Sequence, residues 1–221
     1  MVNILLEGYD FASDWLYPEL SNYIKPAHTV AVVAFSFRDN KVRNINDWEH
    51  LYGKADGMYY GDIVGAFGAY GIQEENITFI NYFTDTKASA AEKAANAGII
   101  YFLGGLPDRM MDRIHEFDLY DVLIAHRGIV MGYSAGAVIQ LSEYHLSPDE
   151  DYPKFGYYNG LPYLSGFYHE VHYEGTDVQN EAIARVIKER SCPVYATHRG
   201  KGAIIVDDGS VRTVGEVDIF I

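Results

Sequence analysis

Ile129-Val130-Met131-Gly132-Tyr133-Ser134-Ala135-Gly136-Ala137-Val138-Ile139-Gln140-Leu141 reads as a buried strand, a sharp turn of small residues and the opening of a helix. In such a turn the central serine is held in a strained backbone conformation above the carboxyl end of its strand. Gly132 and Gly136 stand where a side chain would collide with a neighbouring strand or helix. Ser134 is therefore a candidate nucleophile, and the Ala135 amide at the helix start a candidate donor to an oxyanion. The same residues could also form a purely structural turn with Ser134 as a helix cap, a use that requires no base. A nucleophilic serine does require one, because its hydroxyl is too weakly acidic to act unaided.

Outward from this stretch, short apolar runs rich in β-branched and aromatic residues read as buried parallel strands: Val2 to Leu6, Thr29 to Phe35, Ile77 to Ile80, Ile99 to Leu103 and Gly128 to Gly132. Between them, Phe11 to Ile24, Asp47 to Tyr70, Lys87 to Asn96 and Asp108 to Ala125 repeat apolar residues at helical spacing. This βαβα order predicts an α/β fold, a doubly wound and mostly parallel sheet with helices on both faces. Pro193 to Thr197, Gly202 to Val206 and Ser210 to Val214, with a turn at Asp207-Asp208-Gly209-Ser210, predict a C-terminal antiparallel hairpin. The segment from Leu146 to Phe167 lacks periodicity, as functional loops often do. No repeat or linker divides residues 1–221, so a single domain is expected.

The chain has 221 residues and is 48% hydrophobic, enough to bury roughly 70% of its unfolded surface. A net charge of −14 argues against nucleic acid as a partner, since phosphate backbones require clustered cations. No apolar run is long enough for a membrane span and no basic leader appears near Glu7, Asp10, Asp14 and Glu19. A lone Cys192 forms no internal disulfide, and together these features lead us to expect a cytoplasmic protein. No metal-ligand spacing and no nucleotide-binding glycine fingerprint occurs, so neither metal nor cofactor is expected. Nineteen tyrosines and eleven phenylalanines suggest core and subunit-interface packing, with a homodimer possible and an aromatic substrate groove as the alternative.

Of eight histidines, His145, His169 and His172 follow the turn closely enough to serve Ser134. In Phe167-Tyr168-His169-Glu170-Val171-His172-Tyr173, a regular strand would point His169 and His172 to opposite faces, so only one should face the serine. The orienting acid is sought in the loop after the turn, among Asp149, Glu150 and Asp151. Gly104-Gly105, at the end of another strand, could supply a second oxyanion donor or an ordinary turn.

These residues resemble the peptidase E and cyanophycinase group of serine peptidases, which shares the flavodoxin-like doubly wound fold of class I glutamine amidotransferases. The resemblance spans nearly the whole chain. It rests on Gly132-Tyr133-Ser134-Ala135-Gly136-Ala137, on Gly104-Gly105, on Val171-His172-Tyr173 and on the final hairpin. It implies a serine-type peptidase acting on short peptides, of dipeptidase or exopeptidase type, with Ser134 as nucleophile and His172 as base. Asp149 is the implied orienting acid, Glu150 the alternative, and Gly104, Gly105 and Ala135 form the oxyanion site. Two positions depart from the family pattern. Leu106-Pro107 stands where a polar pair is usual, and Asn180 stands where the aspartyl dipeptidases carry a substrate-anchoring arginine. Arg185 lies five residues further on, expected as a solvated helix arginine with carboxylate binding as the alternative. A small-metabolite esterase or amidase, or a non-catalytic binding or sensor domain of the same fold, are the competing readings.

Overall fold

The computed structural model describes all 221 residues. Its strands are β1 (Val2–Leu6), β2 (Val30–Val33), β3 (Ile77–Ile80), β4 (Ile99–Phe102), β5 (Ile129–Tyr133), β6 (Glu143–Leu146), β7 (Gly156–Asn159), β8 (Tyr168–Tyr173), β9 (Val194–Asp207) and β10 (Ser210–Phe220). Its helices are α1 (Tyr17–Leu20), α2 (Ile45–Tyr52), α3 (Tyr60–Ala69), α4 (Lys87–Ala95), α5 (Pro107–Glu116), α6 (Tyr120–Ala125), α7 (Ala135–Val138) and α8 (Asp177–Arg190).

The main sheet runs β10-β9-β1-β5-β4-β2-β3, and β8 pairs with β9 beside this row. From β1 through β3 every pairing is parallel. β9 pairs antiparallel with both β1 and β10, so the expected hairpin is an extension of the parallel sheet. Its turn places Asp208 and Gly209 at φ 45° and 83°, the left-handed pair that a two-residue hairpin of matching twist demands. A separate two-stranded sheet, β6 with β7, fills part of the segment read as irregular.

Alternation along the central strands divides the core in two, because successive strand side chains point to opposite faces. Leu5, Val33, Ile100, Phe102 and Val130 pack on one face, and Ile4, Val32, Tyr101, Ile129 and Met131 on the other. Three expected helices are shorter than their periodicity. Phe11 to Ile24 yields only the four-residue α1, with Pro18 in its first turn. Asp47 to Tyr70 breaks where Gly53 leaves α2 in an extended conformation. Asp108 to Ala125 breaks at Asp118, which has φ 54°. No helix is long and apolar enough to cross a membrane.

Candidate active site

Parallel pairing aligns the carboxyl ends of β1, β5, β4 and β2 along one rim, the edge at which open α/β sheets place their ligands. Leu6 is in register with Tyr133, so Glu7 and Ser134, the residues that follow, leave the sheet side by side. Ser134 takes φ 52° and ψ −114°, a conformation that non-glycine residues adopt only when their surroundings impose it. The imposition comes from packing. A Cβ at Gly136 would collide with the Phe102 carbonyl of β4, so only glycine lets the turn lie this close to the neighbouring strand. Ser134 occupies the cap position of α7 but makes no side-chain cap hydrogen bond. Its hydroxyl lies 2.9 Å from His172 Nε2 instead.

His172 reaches that point through an irregularity in β8. Glu170 pairs with Ala196 and Tyr173 with His198, so three steps along β8 span two along β9 and one residue is extra. The bulge leaves His172 at φ 55° and shifts the side-chain phase of the strand. His169 and His172 consequently do not diverge to opposite faces as a regular strand requires. His172 meets the Glu7 carboxylate directly, and His169 reaches it through the Thr197 hydroxyl.

Glu7 is buried, and every contact made to it is a donor. His172 Nδ1 approaches Oε2 at 2.7 Å, with its N–H directed off the line between the two atoms. The His172 backbone N–H lies 3.1 and 3.0 Å from the two oxygens, and the Thr197 hydroxyl donates to Oε1. Burial alone would raise the carboxyl's pKa. The hydrogen bond from His172, the charge this ring carries when protonated, and the Thr197 hydroxyl outweigh it and hold Glu7 below the usual carboxylate range. An ionised Glu7 only accepts, so the His172 proton resides on Nδ1 and leaves Nε2 free to accept from Ser134.

The acid beside the histidine is thus Glu7, and the expectation of Asp149, Glu150 or Asp151 is corrected. Asp149 folds back on its own loop, where Oδ1 accepts the backbone N–H groups of Asp151 and Tyr152 at 2.8 and 2.7 Å. Asp151 forms an ion pair with Arg38, and Glu150 is exposed. None of the three contacts His172. The order acid, serine, histidine along the chain hides Glu7, which in the sequence is only one of several early acidic residues. Its place just after the first strand, on the rim Ser134 shares, is the signal that could have found it.

Gly104 and Gly105 line the same cleft as Ser134 and His172. The loop after β2 clamps them: the Ser36 hydroxyl donates to the Gly104 carbonyl at 2.5 Å, and the Ser36 carbonyl accepts from the Leu106 N–H at 2.7 Å. Gly105 sits at φ 141°, and a Cβ there would meet the Ser36 carbonyl. Its N–H makes no hydrogen bond within the chain. Leu106 and Pro107 open α5 and do not line the cleft. Asn180 accepts from the Tyr173 hydroxyl at 2.7 Å, a packing role. Arg185 pairs with Glu189 on α8 and stacks on Phe155, as a solvated helix arginine would.

The cleft measures about 490 Å³. Phe37, Tyr9, Tyr52, Tyr59 and Met58 wall it, so part of the aromatic content faces a groove, Phe37 and Tyr52 while also packed in the core. Two cations, Arg38 and Lys41, also line it. Arg38 is held by Asp151, whereas the Lys41 ammonium has no ion-pair partner.

The model of peptidase family S51 matches residues 54–214. A Listeria monocytogenes EGD-e protein named as a peptidase E superposes with a TM-score of 0.67 at 16% identity, covering 97% of this chain and 98% of its own. A peptidase from an acI-B1 Actinobacterium superposes with a TM-score of 0.62 at 14% identity, covering 99% and 89%. At these identities the superpositions establish a shared fold. No curated protein matches the sequence.

Proposed function

Since the chain belongs to peptidase family S51 and is on that ground a serine peptidase, we propose that Ser134 is its nucleophile, His172 its general base and Glu7 the residue that orients the base. The observation that carries this reading is the contact series Ser134 Oγ to His172 Nε2 at 2.9 Å and His172 Nδ1 to Glu7 Oε2 at 2.7 Å, built on a strained serine. His172 takes the Ser134 proton as Oγ bonds to the scissile carbonyl carbon. The oxyanion that forms is held by the amides of Gly105 and Ala135. His172 then gives the proton to the departing amine, leaving an acyl-enzyme. Water attacks that ester, its proton passing through His172 back to Ser134 as the carboxylic acid leaves.

The substrates we propose are short peptides cleaved near a terminus. A cleft of about 490 Å³ is of the size that encloses small ligands. Its aromatic walls suit apolar side chains, and the unpaired Lys41 ammonium suits a free carboxylate. The test is hydrolysis of a mixed dipeptide and tripeptide library, read by mass spectrometry, for wild type beside Ser134→Ala, His172→Ala and Glu7→Gln. Cleavage abolished in the first two and strongly reduced in the third is expected. Equal cleavage by wild type and Ser134→Ala would overturn the assignment. So would the absence of any cleavage together with no fluorophosphonate labelling of Ser134.

A further inference from the structure

Behind Glu7 the hydrogen bonds continue into the core, beyond anything the reaction itself touches. His169 Nε2 lies 2.8 Å from Thr197 Oγ1, and Thr197 in turn donates to Glu7 Oε1. Both side chains are buried, His169 at 1% exposure and Thr197 at none. A hydroxyl has one proton. Because Thr197 gives its proton to a carboxylate that can only accept, it must accept from His169, which therefore carries its proton on Nε2. His169 Nδ1 is then a bare lone pair, and it is indeed buried without a partner. All the links point one way, from His169 through Thr197 onto one oxygen of Glu7, with His172 and Ser134 joined to the other.

We infer that Thr197 and His169 are positioning residues that lock the Glu7 carboxylate in the orientation His172 needs, an inference that rests on the proposed roles of Ser134, His172 and Glu7. Glu7 ends a strand and would otherwise rotate about its side-chain torsions, since its other donors all belong to His172. The Thr197 hydroxyl comes from a different strand, β9, and ties Glu7 to the rigid sheet. His169 fixes that hydroxyl in turn, because a rotating O–H would as readily donate elsewhere. The titratable groups facing His169 are Glu7 at the end of β1, His172 on its own strand and His145 of β6. Burial, first among the causes, pushes His169 down to about 4, so it stays a neutral one-proton donor at the pH of a working peptidase. The bulge in β8 is what permits the arrangement, since of two histidines three residues apart it sets one directly on the carboxylate and the other on the Thr197 hydroxyl bonded to it.

The test compares Thr197→Val, Thr197→Ser, His169→Leu and His169→Gln with wild type, on the library peptide that wild type cleaves best and on fluorophosphonate labelling of Ser134 across pH. Thr197→Val and His169→Leu should each lose about tenfold or more in kcat, the change expected when a hydrogen bond supporting a charged group is removed. KM should stay within about twofold, since neither residue lines the cleft. The acidic limb of kcat/KM and of labelling should move to higher pH in both, because a Glu7 stripped of this donor is more basic and favours a protonated His172. Thr197→Ser keeps the hydroxyl and His169→Gln keeps an N–H donor, so each should recover most of the loss. Circular dichroism and melting temperature identify variants that fail to fold, and the two independent positions guard against losing one. The inference is overturned if folded Thr197→Val and His169→Leu keep wild-type kcat and limb. It is equally overturned if activity falls only with melting temperature and the limb does not move. Active Ser134→Ala or His172→Ala controls would sink the premise and this inference together, whereas inactive controls beside fully active Thr197→Val and His169→Leu would sink this inference alone.

Discussion

Replacing Glu7 with glutamine separates the acid found in the structure from the acid the sequence suggested. Each Glu7 oxygen faces only donors: His172 Nδ1 and the His172 backbone N–H on Oε2, the same backbone N–H and the Thr197 hydroxyl on Oε1. A glutamine has one oxygen and one NH2, so either orientation sets a donor against a donor. With NH2 toward His172, the imidazole must expose a bare Nδ1 and carry its proton on Nε2, where it can no longer accept from Ser134. With NH2 toward Thr197, the tautomer survives, but the Thr197 hydroxyl loses its acceptor and the negative charge that steadies the imidazolium is gone. Losing the correct tautomer in a serine triad costs up to about 10⁴ in kcat. Losing one charge-assisted hydrogen bond of about 1.5–3 kcal/mol costs about 10 to 100-fold. The expected loss for Glu7→Gln is therefore at least about tenfold and at most about 10⁴, in kcat rather than KM. Asp149→Asn is the control, because an asparagine Oδ1 can accept the same two backbone N–H groups and keep the loop turned. It should stay within about twofold of wild type, the scale of a surface polar change. Both are read as turnover of the best-cleaved peptide and as the rate of fluorophosphonate labelling at Ser134. The reasoning is refuted if Glu7→Gln retains wild-type turnover, or if Asp149→Asn falls a hundredfold.

Stability should fall with acid in two windows. An unfolded His169 takes up a proton below its ordinary 6.5, whereas the buried side chain resists until about 4, so protons favour the unfolded chain across that interval; at about 1.4 kcal/mol per pH unit the loss is about 3 kcal/mol. Glu7, held below 4.5 in the folded state, adds a further loss below that pH. Urea midpoints measured from pH 7 to about pH 3 check both, and His169→Gln should abolish the first. Gly136→Ala drives a methyl into the Phe102 carbonyl and should cost about 1–3 kcal/mol of unfolding free energy, with Ser134 labelling lost in whatever folds. Lys41→Met should raise KM about threefold for peptides with a free carboxylate, leave kcat unchanged, and lose its effect in high salt.

The sheet was legible because its signal is dense. β1 and β3 match their apolar runs residue for residue, and β2, β4 and β5 fall within about two residues of theirs. A strand buried on both faces, as β2 and β4 are, is apolar at nearly every position, and few other segments are. Helix ends were less legible: Gly53 and Asp118 interrupt patterns whose apolar spacing continues across the break, because periodicity reports which face is buried and not whether the backbone is continuous. The strained turn at Ser134 was legible for a different reason, since only small residues fit beside β4. The bulge in β8 was not. No glycine marks it, and the left-handed residue is His172 itself. Its position is set by β9, a strand whose first half pairs with β8 and second half with β1.

The misplaced acid follows from treating chain order as if it constrained geometry. A serine triad needs three side chains at one rim, and a doubly wound sheet delivers residues to that rim at every strand end, whatever their distance in sequence. The strand carrying Ser134 has two neighbours, β1 and β4. The loop after β4 runs so close to the Tyr133 ring and the Ser36 carbonyl that no Cβ fits, which is why it is Gly104-Gly105. The strand end on the other side is then the one with room for a carboxylate, and it carries Glu7. Asp149 lies beyond α7 and β6, on a loop whose own turn consumes it. An elbow residue followed by a histidine is thus better searched for its acid among the residues ending adjacent strands than among those nearest in sequence. Here that search has one acidic answer at the end of β1, in a position that only strand register could have made meaningful.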